Sequence, residues 1–263
     1  MVDAGVGEAF TRLVELMARL RAPGGCPWDR EQTSASLRPY LLEEVYEVLE
    51  AIDAGDAGHL RDELGDLLLQ IVFQSQLASE AGRFTIADVA CAIVDKLVRR
   101  HPHVFGDARV RDADEVVRNW RRIKAEERRT TGEDGDLFAG VPAALPALVR
   151  AQQLGEKAGH VGLDWRDAGG VLEKLREEIA ELEAALAAGD RGQVEHELGD
   201  LLLAAASLGR HVDVSAEMAL RGANERFVAR VRRLETAARV RGQALADLAP
   251  EERDRLWEAV KLV

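Results

Sequence analysis

The stretch Glu177–Asp200 reads EEIAELEAALAAGDRGQVEHELGD. It holds two groups of carboxylates, Glu177/Glu178/Glu181 and Glu197/Asp200, on either side of Gly189-Asp190. Helical side chains three and four apart share a face, so Glu178 stands with Glu181 and Glu197 with Asp200. A reversal at Gly189 then predicts two antiparallel helices with four carboxylates at matching heights. Oxygens converging in this way suit a hard divalent cation, Mg2+ with Mn2+ as the alternative, rather than zinc. Lys174 lies one turn before Glu177 and Glu178, and Arg226, Arg230 and Arg233 repeat at helical spacing farther on. Beside a carboxylate–metal cluster, such cations suit phosphate oxygens through charge-assisted hydrogen bonds. Trp257, four residues before Lys261, offers a ring to a nucleobase or, equally, to a helical core.

In a chain that is 31% charged, an acidic helix stripe is more often a solvated face than a ligand set. Two features oppose that reading here. Asp200 sits within ELGDLLL, beside residues a helix buries, where an unpaired carboxylate is costly. The pattern also occurs twice. Residues 43–66 read EEVYEVLEAIDAGDAGHLRDELGD, so Glu43, Glu44, Glu47, Glu63 and Asp66 match Glu177, Glu178, Glu181, Glu197 and Asp200 at one constant offset. Lys96, Arg100, Trp120 and Lys124 stand in the first copy where Arg226, Arg230, Trp257 and Lys261 stand in the second. Tyr40 replaces Lys174. The first copy is therefore a possible second site that keeps its acids and lacks one phosphate-binding cation, and the second copy is expected to be the main site.

The elements that position these residues are helices. Helical periodicity runs over 8–21, and Pro23-Gly24-Gly25 ends it before a compact loop at Cys26–Asp29. Helices are expected over about 36–52, 58–80, 85–100 and 114–129, with Thr85–Asp88 as a capping box. The second copy repeats the plan over about 169–187, 192–211, 214–238 and 250–261. Residues 137–162 are expected to form short helices. No run alternates as a strand does, so the fold class is all-α, a tandem of helical bundles. The polar stretch TTGEDGD at 130–136 marks a boundary, giving domains 1–130 and 163–263 with a linker at 131–162.

Composition narrows the partners. Apolar residues make up 47% of the chain and aromatics 5%, so the cores are expected to be Leu/Ala/Val helix packing. A net charge of −12 without an extended basic patch excludes nucleic acid as the principal partner. An acidic protein that handles a polyanion needs metal ions as intermediaries. Two cysteines, Cys26 and Cys91, are too few for a disulfide framework, which points to a reducing cytoplasm. The N-terminal stretch lacks the apolar core of a signal peptide or a membrane span. Neither a GxxxxGK[ST] loop nor a GxGxxG exists.

The doubled EExxE…ELGD pattern, with CPWDREQT at 26–33, KLVRRHPHVF at 96–105, VGLDW at 161–165 and the closing ANERF…WEAVK, resembles the MazG family of nucleoside triphosphate pyrophosphohydrolases in its two-domain form. The resemblance covers nearly the whole chain. It implies an all-α fold and Mg2+-dependent cleavage of nucleoside triphosphates to monophosphate and pyrophosphate, clearing nucleotide pools. By position it implies Glu178, Glu181, Glu197 and Asp200 as metal ligands, with Glu177 beside them. It implies Lys174, Arg226 and Arg230 as triphosphate contacts and Trp257 as a nucleotide contact. Arg226 departs from the lysine common in the family. The resemblance also implies an intertwined homodimer with a regulatory or structural first copy. A water-activating base is assigned to Glu178, although spacing does not separate ligand from base. Two alternatives follow from the same residues: a non-catalytic helical module docking on a GTPase or stress-response partner, and a phosphoribosyl-ATP pyrophosphohydrolase.

Overall fold

Short reversals at glycine and side-chain caps at helix starts decide how this chain folds back on itself. The computed structural model describes residues 4–131 and 136–261, and among them every regular element is helical. In chain order these are α1 (Ala4–Arg21), α2 (Pro27–Glu31), α3 (Arg38–Ala54), α4 (Ala57–Glu80), α5 (Ile86–Arg100), α6 (Pro102–Phe105), α7 (Ala113–Thr131), α8 (Ala147–Gly159), α9 (Ala168–Ala188), α10 (Arg191–His211), α11 (Ala216–Val240) and α12 (Pro250–Lys261), with one 3-10 turn at Leu245–Asp247. No helix among the described residues is long and apolar enough to cross a membrane. The chain divides into two compact units, Met1–Glu127 and Arg128–Val263. Residues 132–135, in the stretch expected to separate the domains, lie outside the described residues.

In the first unit, α3 and α4 form a hairpin. Gly55 ends α3 at φ 69°, a left-handed conformation that favours glycine, and the Asp56 carboxylate accepts from the amides of Gly58 and His59 to open α4. Helix α1 packs on α4, and α5 leaves α4 through the Thr85/Asp88 capping box expected from the sequence. Met17, Leu37, Val72 and Phe73 form the buried core, ringed by Phe10, Leu13, Val14, Leu20, Leu69, Leu77 and Ile86. Arg21 ties the ends of α1 and α4 together. Its guanidinium lies 2.7 Å from Glu80, donates to the carbonyls of Asp29 and Gln32, and stacks over the Phe73 ring. Where a compact loop was expected at Cys26–Asp29, the chain winds into a helical turn at Pro27–Glu31, with proline at its start.

The second unit repeats the hairpin with α9 and α10. Gly189 has φ 69°, and Asp190 caps α10 through Gly192 and Gln193. Helix α8 lies against α10 and α11, and α12 packs on α11. It is one helix where short pieces were expected, because Gln152 bridges to the start of α11: it donates to the Val214 carbonyl and accepts from the Ala216 amide. Leu234, Ala238, Leu248 and Leu256 form this unit's core, with Ala237, Leu245 and Trp257 around it. The loop before α9 is tied to the end of α10 by Asp164. Its carboxylate receives two bonds from Arg210, at 2.6 and 2.7 Å, and lies 3.1 Å from His211 Nε2. A methyl group at Gly159 would stand 2.8 Å from that carboxylate, so a larger residue there would push Asp164 away from its place beside Arg210.

In the first unit, Glu127 on α7 binds two arginines of α5, with Arg99 at 2.7 Å and Arg100 Nε at 3.1 Å. The hydrogen bond from Arg100, reinforced by Arg99, holds its carboxyl down at about 2 against an ordinary 4.5. The folded state therefore binds this proton more weakly than the unfolded state. The pair's stabilisation is full above the unfolded value and disappears as pH falls through the folded one. Glu127→Gln is expected to cost about 1 kcal/mol or less at neutral pH, and its deficit should close as pH falls from 4.5 towards 2. Urea midpoints of both proteins across that range measure it. A deficit that stays constant in acid would show that Glu127 acts by packing alone.

Candidate metal and phosphate site

Helix α9 buries Val171, Glu178 and Ala185, positions seven apart that fall on one seam. The central residue of that seam is a glutamate. Opposite it, Glu197 and Asp200 are half-buried on α10. One oxygen from each of Glu178, Glu197 and Asp200 lies within 4.8 Å of the others. Lys174, one turn earlier on α9, reaches Glu178 Oε1 at 2.6 Å and Glu177 Oε1 at 2.7 Å. Hydrogen bonds to Glu177 and then Glu178 push the Lys174 ammonium well above its ordinary pKa, so it is charged throughout the physiological range. The other oxygen of Glu178, Oε2, is buried and receives no hydrogen bond.

That orphaned oxygen tests whether a cation fits. A buried carboxylate oxygen without a donor is costly, and three converging carboxylates form the oxygen-only donor set that hard divalent ions take. The residues fit a divalent ion. Glu181 is exposed and lies outside the group of three. Loss of hydration beside the neighbouring acids raises its carboxyl pKa and Lys174 opposes this, with Glu178, Glu197 and Glu177 adding to the rise. His196 stands 3.4 Å from Asp200.

The first unit builds the same cluster from Glu44, Glu63 and Asp66, again with oxygens within 4.8 Å. Burial raises the Glu44 carboxyl pKa, and Asp66 and Glu47 add to it. His59 pairs with Glu63 at 2.9 Å. Glu43 is exposed and Glu47 half-buried. Tyr40, the counterpart of Lys174, packs edge-to-face on Trp28 at 5.7 Å. Among the described residues no lysine or arginine is ion-paired to this cluster.

The basic residues divide differently from the sequence expectation. Arg100 does not turn to the acids of its own repeat, because its guanidinium is taken by Glu127. Lys96 is exposed. In the second unit, Arg233 bonds to the carbonyls of Ala229 and Val260, stitching α11 to α12. Arg226 lies over Gly222, and neither it nor Arg230 is ion-paired to the acid cluster among the described residues. The Trp257 ring packs against Phe227 at 5.8 Å and, partly buried, borders the Leu256 core. The side chains of Lys124 and Lys261 lie outside the described residues. Sequence reasoning also passed over Gln70, which is buried beside Glu44. Its position four residues after Asp66 was the available signal.

Comparison with known proteins bears on both repeats. The profile of the MazG nucleotide pyrophosphohydrolase domain matches residues 32–105 and 169–234, stretches that contain both hairpins. The chain is 47% identical over 253 residues to the nucleoside triphosphate pyrophosphohydrolase of Escherichia coli strain K12, covering 95% of this chain and 96% of that protein. It is 42% identical over 261 residues to the nucleoside triphosphate pyrophosphohydrolase/pyrophosphatase MazG of Thermotoga maritima, covering 99% and 98%. It is 37% identical over 211 residues to the nucleoside triphosphate pyrophosphohydrolase of Mycolicibacterium smegmatis, covering 71% and 63%.

Proposed function

The chain belongs to the MazG family of nucleotide pyrophosphohydrolases, and we propose that it hydrolyses nucleoside triphosphates, ribo and deoxy, to monophosphate and pyrophosphate at the cluster of α9 and α10. One observation carries the site assignment. Glu178 is a buried carboxylate with one oxygen on Lys174 and the other without a donor, set between Glu197 and Asp200.

The chemistry follows from the charges. Water adds to the α-phosphorus, the bond from that phosphorus to the α,β-bridging oxygen breaks, and pyrophosphate leaves with the electron pair. A triphosphate is a polyanion that bare carboxylates repel. Glu178, Glu197 and Asp200, with Glu181 at the rim, would hold Mg2+, which would supply the compensating charge and polarise the attacking water. Glu178 and Glu177 are the bases within the site for the proton released by the attacking water. Lys174 bonds to both glutamates in the free protein and stands where a phosphate oxygen can take over its hydrogen bonds. In this reading Arg226 and Arg230 take the outer phosphates, and Trp257 with Lys261 takes the nucleoside. Family position supports these four. The free cysteines Cys26 and Cys91 agree with a cytoplasmic setting.

The reading includes a homodimer. Val45, Ile52, Leu64 and Leu68 are exposed on the first hairpin, and their counterparts Ile179, Leu186, Leu198 and Leu202 are exposed on the second, with Leu186 at 60%. Repeated apolar stripes of this kind mark an interface rather than a solvated face. A second copy of the chain, presenting the same stripes, is the occupant we assign.

Two outcomes are expected. Glu178→Ala and Asp200→Ala each lower turnover of a panel of NTPs and dNTPs by about 100-fold or more, with pyrophosphate the first product by 31P NMR. Orthophosphate appearing first would count against the proposal. Sedimentation equilibrium should give a dimer for the wild type, and Ile179→Glu with Leu198→Glu should shift it to monomer. A wild type that sediments as a monomer at micromolar concentration overturns the dimer assignment.

A further inference from the structure

The two repeats hold their central glutamates in chemically different ways. Glu178 is held by an ammonium, at 2.6 Å from Lys174. At the matching position the first repeat has Tyr40, whose ring is turned to Trp28. What approaches Glu44 instead is Gln70, whose Nε2 lies 3.5 Å from Glu44 Oε1. Gln70 is only 7% exposed, and its carbonyl oxygen is buried with no hydrogen-bond partner. Its counterpart in the second repeat is Ala204. Glu63, Asp66 and Gln70 fall at helical spacing on one face of α4, facing Glu44 on α3.

A buried amide with one contact at the limit of hydrogen bonding and an orphaned oxygen is incomplete as a structural group. Rotating it by half a turn exchanges oxygen and nitrogen within the same shape. Its carbonyl oxygen then faces Glu44, and amide carbonyls are ordinary ligands for hard divalent ions. Charge points the same way. A cation entering the second cluster must compete with Lys174 for Glu178, whereas no lysine or arginine is paired to Glu44, Glu63 or Asp66 among the described residues. Coulomb attraction for a bare cation is correspondingly larger at the first cluster.

We propose that Gln70 is a neutral oxygen ligand that completes a divalent-cation site with Glu44, Glu63 and Asp66. This site fills without nucleotide and binds more tightly than the cluster of the second repeat. The inference rests on the divalent reading of the acid clusters given above. It makes the first repeat a resident-ion site, while the second receives its ion together with the triphosphate.

The experiment is a titration of the full-length protein with Mn2+ alone, following the free ion by electron paramagnetic resonance. Two classes of site are expected. The tighter should weaken at least tenfold in Gln70→Leu, which keeps the apolar volume, and in Glu44→Gln, while Gln70→Glu, which keeps an oxygen donor, retains it. Glu178→Gln should remove only the weaker class, and Lys174→Met should tighten it. Circular dichroism melts confirm that each variant is folded. Unchanged Mn2+ affinity in Gln70→Leu overturns the proposal, as does loss of all Mn2+ binding in Glu178→Gln. If the wild type still releases pyrophosphate in either case, the functional reading stands and this inference alone fails. No Mn2+ binding together with no pyrophosphate release removes both.

Discussion

The contact on which the rest of the second unit depends is the bond between Lys174 and Glu178 inside the α9–α10 seam. Placing an ionised carboxylate on a packed helix face costs several kcal/mol unless a partner of opposite charge is near. The partner here is one helical turn away, at 2.6 Å, so the local geometry of a single helix supplies it. The second oxygen of the same carboxylate has no donor, and one ammonium among three carboxylates leaves the cluster with excess negative charge. A site built in this way folds and is still electrostatically unfinished, as the proposed divalent-ion role needs.

The hairpin that carries this seam is defined at its closed end by two residues in each repeat. Gly55 and Gly189 adopt the same left-handed φ of 69°, and Asp56 and Asp190 cap the following helices through equivalent amides. Those turns set the register of one helix against the other. Register in turn decides that Glu44 meets Glu63 and Asp66, and that Glu178 meets Glu197 and Asp200. The repeats kept the turn and the acids and changed what surrounds them: tyrosine for lysine at 40 and 174, glutamine for alanine at 70 and 204. Duplication followed by change at the supporting residues gives two clusters of the same ligands with different fields.

Outside the hairpins, ion pairs at helix ends do work that a larger core would otherwise do. Arg21 joins Glu80, Glu127 joins Arg99 and Arg100, and Asp164 joins Arg210. Arg210 holds the Asp164 carboxyl below the ordinary range, and with His211 it fixes the loop that leads into α9. That loop sets where α9 begins, and hence the rotation of Lys174 and Glu178 about the helix axis. The exposed leucines and isoleucines of both hairpins complete the picture. Each hairpin buries one side of its helices and leaves apolar side chains exposed on the other.

The sequence by itself determined the long helices, the hairpin turns and the convergence of Glu178 with Glu197 and Asp200, but not the place of Glu181 outside that group. These follow from local rules: apolar spacing, glycine at reversals, aspartate and threonine at caps, and an offset kept at five positions. The Thr85/Asp88 capping box and the two Gly-Asp turns were legible at the residue level. The single helix α8 was not, because Gln152 is held by backbone groups of Val214 and Ala216, far along the chain. The fates of Arg100 and Arg233 were also hidden, since a cation at helical spacing looks the same whether it faces a ligand, a glutamate or a carbonyl. Only the tertiary structure decided that Glu178 is the buried acid, that Gln70 lies beside its counterpart Glu44, and that Trp257 packs on Phe227. Burial and long-range pairing depend on which side of each helix is turned to its partner, and local sequence leaves that rotation open.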